Sequence, residues 1–472
     1  MCHRSRMTAT WNVQIRNFGE RKMKDVKDVK DYTPRSLEIV DTTLREGAQT
    51  SLFQDHYRYY FTQTDKVEIV QALIKYGVKF IELFSPIVSS QERDDISAIM
   101  EARDALVGQD GYARLLAHVR CHPADISAAI DAGFDGLNLF FGTSEISRRS
   151  THGKDLDTLI RTARDLTEAV RADHPGLRLR FSGEDAFRTH EDDLFRVYDS
   201  VAPAVDCVGI PDTVGVATPA TVAHRLERLR KRYPDVELEG HFHDDRGFSL
   251  VNALAAIEHG VRYLNTTVLG IGERSGITSM TAVLYNLYIN RQFDKVDGYR
   301  LHGSYPINVL VAEKLNTLVP PKEPVSLTNR THTAGIHQKA VLSNAGAYEA
   351  HPLDRFGVSE TEILLGPLSG WNLIYYFLKE IRYYQLDHET ARTITEVFKE
   401  RIYSSDPRQP PAKLLEQIAE EEFKLERIET AKIHQGEVIQ RLGPVSERRS
   451  DVKSPSESTS GSRIHPEVSD PG

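Results

Sequence analysis

From Leu37 the chain alternates two kinds of segment. Short runs rich in β-branched and aromatic residues cover 37–43, 79–86, 114–120, 136–142, 177–182, 206–210, 237–243 and 263–269. Between them lie longer stretches whose apolar residues recur every three or four positions. In 65–76, Val67, Val70, Leu73 and Ile74 mark one helical face, and Gly77 is a natural stop. Stretches 126–132, 156–172, 219–233 and 250–259 follow the same rule and end near Gly133, Pro175-Gly176, Pro234 and Gly260. Strand–helix alternation predicts parallel strands joined by right-handed crossovers. Eight such units in about 240 residues predict an α/β fold of the (β/α)8 TIM-barrel type. The alternative is an open doubly wound sheet. It loses because no glycine-rich dinucleotide loop follows the first run.

The flanks read differently. Residues 1–36 are polar and mixed in charge and predict an N-terminal arm, with the barrel over 37–290. Residues 291–442 predict a linker and a helical C-terminal subdomain. Its first part, 290–330, is loop-rich and holds Pro320-Pro321 and Pro324. Next comes a glycine-containing loop, Thr331–Ala340, and then Gly370-Trp371-Asn372 leads into an apolar helical run. Residues 443–472 hold eight serines and little that is apolar, and predict a disordered tail.

Composition narrows the function classes. A net charge of -9 argues against nucleic acid as a partner. Cys2, Cys121 and Cys207 form no CxxC pair and lie far apart, so a disulfide framework is not expected and a reducing compartment fits. No apolar run is long enough to span a bilayer, and no signal-peptide core is present. Residues 1–19 hold three arginines and no acid, but no amphipathic stripe marks a mitochondrial transit peptide. The expectation is a cytoplasmic protein with no membrane partner.

The unusual polar residues cluster where the predicted strands end, which is where barrels keep their chemistry. His241 and His243 stand at i and i+2 on the seventh run and point to one face. With Glu46, after the first run, they make a two-histidine, one-carboxylate set for a divalent metal, whose identity stays open. Arg45 is placed to neutralise an oxyanion or enolate, or else to form a salt bridge at the barrel mouth. Arg180 and Ser182 share a strand face and with Thr213 suit a carboxylate. Equally, Arg180 can pair with Glu82 or Glu184 and serve the structure. His118 ends the third run. His337 is a candidate acid or base, or simply an exposed loop histidine; Trp371 is expected in the core.

Several stretches together resemble a known family. They are Asp41-Thr42-Thr43-Leu44-Arg45-Glu46-Gly47, Ile81–Pro86, His118–His122, Arg180–Asp185, Asp212–Ala217, Gly240–Asp245, Gly270–Arg274, Gly335-Ile336-His337 and Gly370-Trp371-Asn372. They resemble the metal-dependent Claisen-condensing TIM barrels: the isopropylmalate, citramalate and, most of all, homocitrate synthases. The likeness spans 37–385.

It implies an acyltransferase that condenses acetyl-CoA with 2-oxoglutarate to homocitrate, opening the aminoadipate route to lysine. Glu46, His241 and His243 would hold Mg, Mn or Zn. Arg45 would support the keto group; Arg180, Ser182 and Thr213 would hold the distal carboxylate, with His118 lining that pocket. Glu184, His337 and Tyr348 match the family's acid–base residues, and the histidine segment reaching a partner barrel implies a homodimer. Three departures stand out: Ala48, the long aromatic segment 51–64, and Asn138 where homocitrate synthases typically have Asp. They leave another 2-oxo acid as the alternative acceptor. A catalytically silent barrel is a further alternative, and the intact metal set and His337 argue against it.

Overall fold

A computed structural model describes residues 37–427 apart from 56–58, 107–111, 350 and 352. The expected arm (1–36), the tail (443–472) and the last stretch of the helical region lie outside the described residues. Eight parallel strands close into a barrel. They are β1 (Glu38–Asp41), β2 (Phe80–Phe84), β3 (Arg114–Arg120), β4 (Gly136–Gly142), β5 (Arg178–Glu184), β6 (Cys207–Asp212), β7 (Glu237–Phe242) and β8 (Tyr263–Thr266). Closure is by β1 on β8, with Val40 beside Asn265 and Asp41 beside Thr266. The expected TIM barrel is therefore observed. The last strand is shorter than its apolar run, because Leu269 takes φ 63° and turns the chain.

Local chemistry explains the element ends. Helix Gln63–Tyr76 starts at a capping box, where Thr62 and Asp65 each accept from the other's backbone N–H. It stops at Gly77, whose φ of 109° is left-handed. A side chain there would also meet the Gly298 carbonyl oxygen at 2.2 Å. Two outer helices, Ser90–Asp104 and Glu191–Val201, have their apolar stripes interrupted by charged residues: Glu92, Arg93, Asp94 and Asp95 in the first, and Glu191, Asp192 and Asp193 in the first turn of the second. Both still bury that stripe: Ile96 and Ile99 in one, Leu194, Val197 and Tyr198 in the other.

The barrel interior is layered. Val40, Phe80, Leu116, Cys207 and Tyr263 fill the bottom, and the Arg178 guanidinium lies 4.5 Å from the Tyr263 ring. Above them the strands turn charged side chains inward, and above those they open to the catalytic face.

Past the barrel the structure corrects two expectations. The stretch read as loop-rich contains helix Ser304–Lys314, whose Pro306 sits in the first turn, where proline is tolerated. His337 lies not in a loop but in the first turn of helix Gly335–Ser343. Helices Trp371–Tyr376, His388–Ile402 and Pro411–Gln417 share a separate core around Ile374, Leu378, Phe398 and Leu415. Trp371 is only half-buried at its edge, with the Arg392 guanidinium 4.5 Å from its ring. Among the described residues, no helix is long and apolar enough to cross a membrane.

Candidate active site

On β7 the residues alternate. Leu238 and Phe242 join the apolar core, and Glu239, His241 and, just past the strand, His243 are buried on the other side. The two Nε2 atoms lie 3.3 Å apart. Glu46 Oε1 is 3.7 Å from His241 Nε2. One ligand atom from each of the three residues falls within 4.8 Å of the others, and all three residues are buried.

Glu46 reaches this point through the turn after β1. Asp41 accepts hydrogen bonds from the Thr43 backbone N–H at 2.9 Å and from its hydroxyl at 2.8 Å. Thr43 Oγ1 in turn accepts from Val268 N–H at 2.9 Å. The turn is thereby pinned to the segment following β8, and the short helix Thr43–Glu46 presents its carboxylate inward.

The electrostatics suit a cation. Burial works against ionising Glu46, yet Arg45, His241 and His243 together lower its pKa to about 2. Burial lowers His241 to about 3 and moves His243 in the same direction. The three donors are therefore a carboxylate and two neutral imidazoles, the forms a metal requires. The cavity wall carries two guanidiniums, Arg45 and Arg274, against three carboxylates, Glu46, Glu184 and Glu273. A wall with that balance repels an anionic substrate unless a cation joins it.

Beneath the metal set runs a ladder of buried charges. Arg45 pairs with Glu46 at 2.8 Å and, through Nε, with Glu82 at 2.8 Å. Glu82 is also 3.2 Å from Arg180 Nη1, and Arg180 pairs on its far side with Glu239. Burial would raise Glu82, but Arg45 and Arg180 hold it well below the usual carboxylate range. Asn138 donates to Glu82 at 3.1 Å and accepts from the Ser182 hydroxyl at 3.0 Å. An aspartate at 138 would set another carboxylate against Glu82; the amide donates to it instead. His118 stacks on Phe140 with ring centres 4.1 Å apart, and burial lowers its pKa.

A cavity of about 260 Å³ opens over this floor. Its wall brings together Arg45, Glu46, His118, Ser182, Glu184, Thr213, His241 and His243 from among the expected residues. Burial, and the neighbouring Asp185, raise Glu184 above its ordinary value. Thr213 Oγ1 accepts from Asp185 N–H at 2.8 Å, which leaves its own hydrogen to donate.

Three expected residues lie elsewhere. Arg180 does not line the cavity; it is 1% exposed and sits below, engaged by Glu82 and Glu239 rather than Glu184. His337 and Tyr348 stack on each other at 3.9 Å on the exposed face of the C-terminal region. Glu349 anchors that pair, accepting from Arg330 at 2.7 Å, Thr361 at 2.8 Å and His332 at 3.1 Å. In the aromatic segment after β1, Phe53 and Phe61 are buried edge to face at 4.9 Å, while Tyr59 and Tyr60 are exposed.

Residues without a role in the sequence reading also appear in the wall. Arg274 binds Asp245 at 2.7 Å and donates to the Thr213 carbonyl at 2.7 Å. Asn265 stands beside His241. The inward alternation of β8 was the available signal for Asn265, and the Gly270–Arg274 motif for Arg274.

A family model described as HMGL-like matches residues 36–304, and one described as homocitrate synthase post-HMGL domain-like matches 325–405. The chain belongs to the HMGL-like family. Within it, the likeness is to homocitrate synthases. The cytosolic homocitrate synthase isozyme of Saccharomyces cerevisiae is 37% identical over 341 residues, covering 72% of this chain and 76% of that one. The mitochondrial homocitrate synthase of the same yeast is 36% identical over 359 residues, covering 76% and 77%. The crystal structure of hydroxymethylglutaryl-CoA lyase from Pseudomonas aeruginosa superposes with a TM-score of 0.51 at 20% identity, covering 61% of this chain and 95% of that one. That likeness concerns the fold. The HMGL-like family is metal-dependent, which agrees with the Glu46, His241 and His243 cluster.

Proposed function

We propose that the chain condenses acetyl-CoA with 2-oxoglutarate to give homocitrate and CoA. The observation that carries this is the convergence of Glu46, His241 and His243 in a chain whose barrel and following region both match homocitrate synthases. Held by those three residues, a divalent ion supplies Lewis acidity to the keto carbonyl of the 2-oxo acid.

The remaining work falls to the chain. Arg45, steadied by Glu46 and Glu82, faces the same oxygen and balances the alkoxide that forms on it. Ser182, Thr213 and His118 take the distal carboxylate. Arg180 reaches that carboxylate only by exchanging Glu82 or Glu239 for it. Glu184, whose raised pKa brings it closer to neutral pH, takes part in moving the methyl proton of acetyl-CoA. The methyl carbon then bonds to the keto carbon, and the new alkoxide takes up a proton. Water cleaves the thioester and frees CoA.

His337 and Tyr348 complete the proton path from a second copy of the chain. Support for this homodimer is the family resemblance, together with the stacked, exposed pair. Beside His337 lies Ile336, 78% exposed, and the same region carries Leu368, 64% exposed; both are apolar surface that association would cover.

The test is thiol release from acetyl-CoA over a panel of 2-oxo acids with added Mg, Mn or Zn. Turnover is expected with 2-oxoglutarate. Turnover with 2-oxoisovalerate but not with 2-oxoglutarate would overturn the assignment of the acceptor.

A further inference from the structure

Asn265 lies on β8 beside His241 of β7, because the register sets Gly240 against Leu264 one residue earlier. It is 3% exposed and forms part of the cavity wall. Its Oδ1 is 3.2 Å from His241 Nδ1. Its Nδ2 is buried and has no hydrogen-bond partner among the described residues. An apolar residue would fill this place without leaving a donor unmet, so the amide is held for its oxygen.

That oxygen has a consequence for the metal set. When His241 donates its Nδ1–H to Asn265, the lone pair resides on Nε2. Nε2 is the atom 3.7 Å from Glu46 and 3.3 Å from His243 Nε2. His243 differs: its Nδ1 is buried with no partner among the described residues. Of the two imidazoles, His241 alone has its Nδ1 within hydrogen-bond distance of a neighbouring side chain among the described residues.

We propose that Asn265 is a positioning residue for the metal centre. Its carboxamide oxygen holds His241 in the tautomer and ring orientation that turn Nε2 toward a divalent ion. Outer partners of this kind typically govern ligand geometry and metal affinity. The inference requires an ion at Glu46, His241 and His243. It does not depend on which 2-oxo acid is the substrate.

Metal binding without substrate tests it. Co²⁺ is titrated into the full chain freed of metal, and affinity is read by competition with a chelator while the visible absorption of bound Co²⁺ reports the ligand set. Asn265→Ala and Asn265→Leu remove the acceptor, the second without emptying the space. Each is expected to weaken Co²⁺ binding roughly 10- to 100-fold, with an altered absorption spectrum. Asn265→Asp keeps an acceptor facing Nδ1 and is expected to bind Co²⁺ at least as tightly as the unaltered chain. Unchanged affinity in the Leu variant would overturn the proposal. So would an Asp variant weakened as much as Leu, because an acceptor of the same shape facing Nδ1 would then not be enough to hold the metal set. If the Ala variant does not fold, the Leu and Asp pair still decides.

Discussion

Glu82 Oε2 lies 3.2 Å from Arg180 Nη1, while its other oxygen lies 2.8 Å from Arg45 Nε. One carboxylate, fully buried, thus joins the arginine beneath the cavity to the arginine in its wall. Glu82→Gln keeps the shape and removes the charge, leaving two buried guanidiniums short of a partner. The expected loss is about 3–5 kcal/mol of stability, the range for breaking a buried pair from one side. Arg45 would also lose its support, so kcat is expected to fall roughly 100-fold, the scale for misplacing a group that acts at the reacting centre. Urea unfolding and steady-state kinetics check both. Full stability together with unchanged kcat would rule out the ladder as a support for Arg45.

The metal set makes a separate prediction. His243→Ala removes one of three donors that lie within 4.8 Å of each other. Metal content after dialysis should drop to background, and CoA release should go with it. An active variant that retains no metal would remove the basis for the proposed chemistry.

The barrel was legible because eight strand runs and five of the helices between them carried a local pattern, and the candidate metal cluster because HxH at a strand end is an unusual pattern. What stayed hidden depended on positions across the barrel. The sequence left Arg180 equally open as a carboxylate clamp or as a structural partner of Glu82 or Glu184. Only closure of the sheet shows that Glu82 and Glu239 flank it, at 98 and 59 residues' remove in the chain. Asn265 is one polar residue in Tyr-Leu-Asn-Thr, and nothing local marks its neighbour as His241. The His337 helix was concealed by Ala334 and Gly335, which read as loop although Gly335 opens the helix. A side chain on Gly335 would meet the Leu368 carbonyl at 2.7 Å, so the glycine serves close packing there rather than a turn.

Asp41 makes stability depend on pH. Burial raises its pKa from 3.8 to about 7, although both donors of Thr43 pull it down. The native state therefore holds a proton that the unfolded chain releases once pH exceeds 3.8. The contribution is complete below that value and is lost as pH rises through about 7. By linkage the loss amounts to roughly 4 kcal/mol. Asp41→Asn cannot ionise, so its stability should change less over this interval, and the difference from the unaltered chain should shift in its favour as pH rises. Thermal melts at pH 5 and pH 8 provide the comparison. Parallel curves for the two proteins would mean that Asp41 is already ionised in the fold at pH 5.

His337 and Tyr348 are stacked at 3.9 Å, yet neither lines the cavity that holds Glu184. Glu349, bound by Arg330, His332 and Thr361, fixes the chain next to Tyr348. Gln338, next to His337, donates to the Leu364 carbonyl at 2.7 Å. A pair held this firmly is better suited to act on another molecule than to swing back onto its own barrel. Complementation separates the two arrangements. Glu184→Gln and His337→Ala chains are each expected to be nearly inactive. Refolded together, half the dimers are mixed, and each mixed dimer combines an intact Glu184 barrel with an intact His337 helix in one of its two sites. Activity should recover to about a quarter of the unaltered level, as two-fold symmetry dictates. If both residues served the same chain, every site would carry one lesion and mixing would restore nothing.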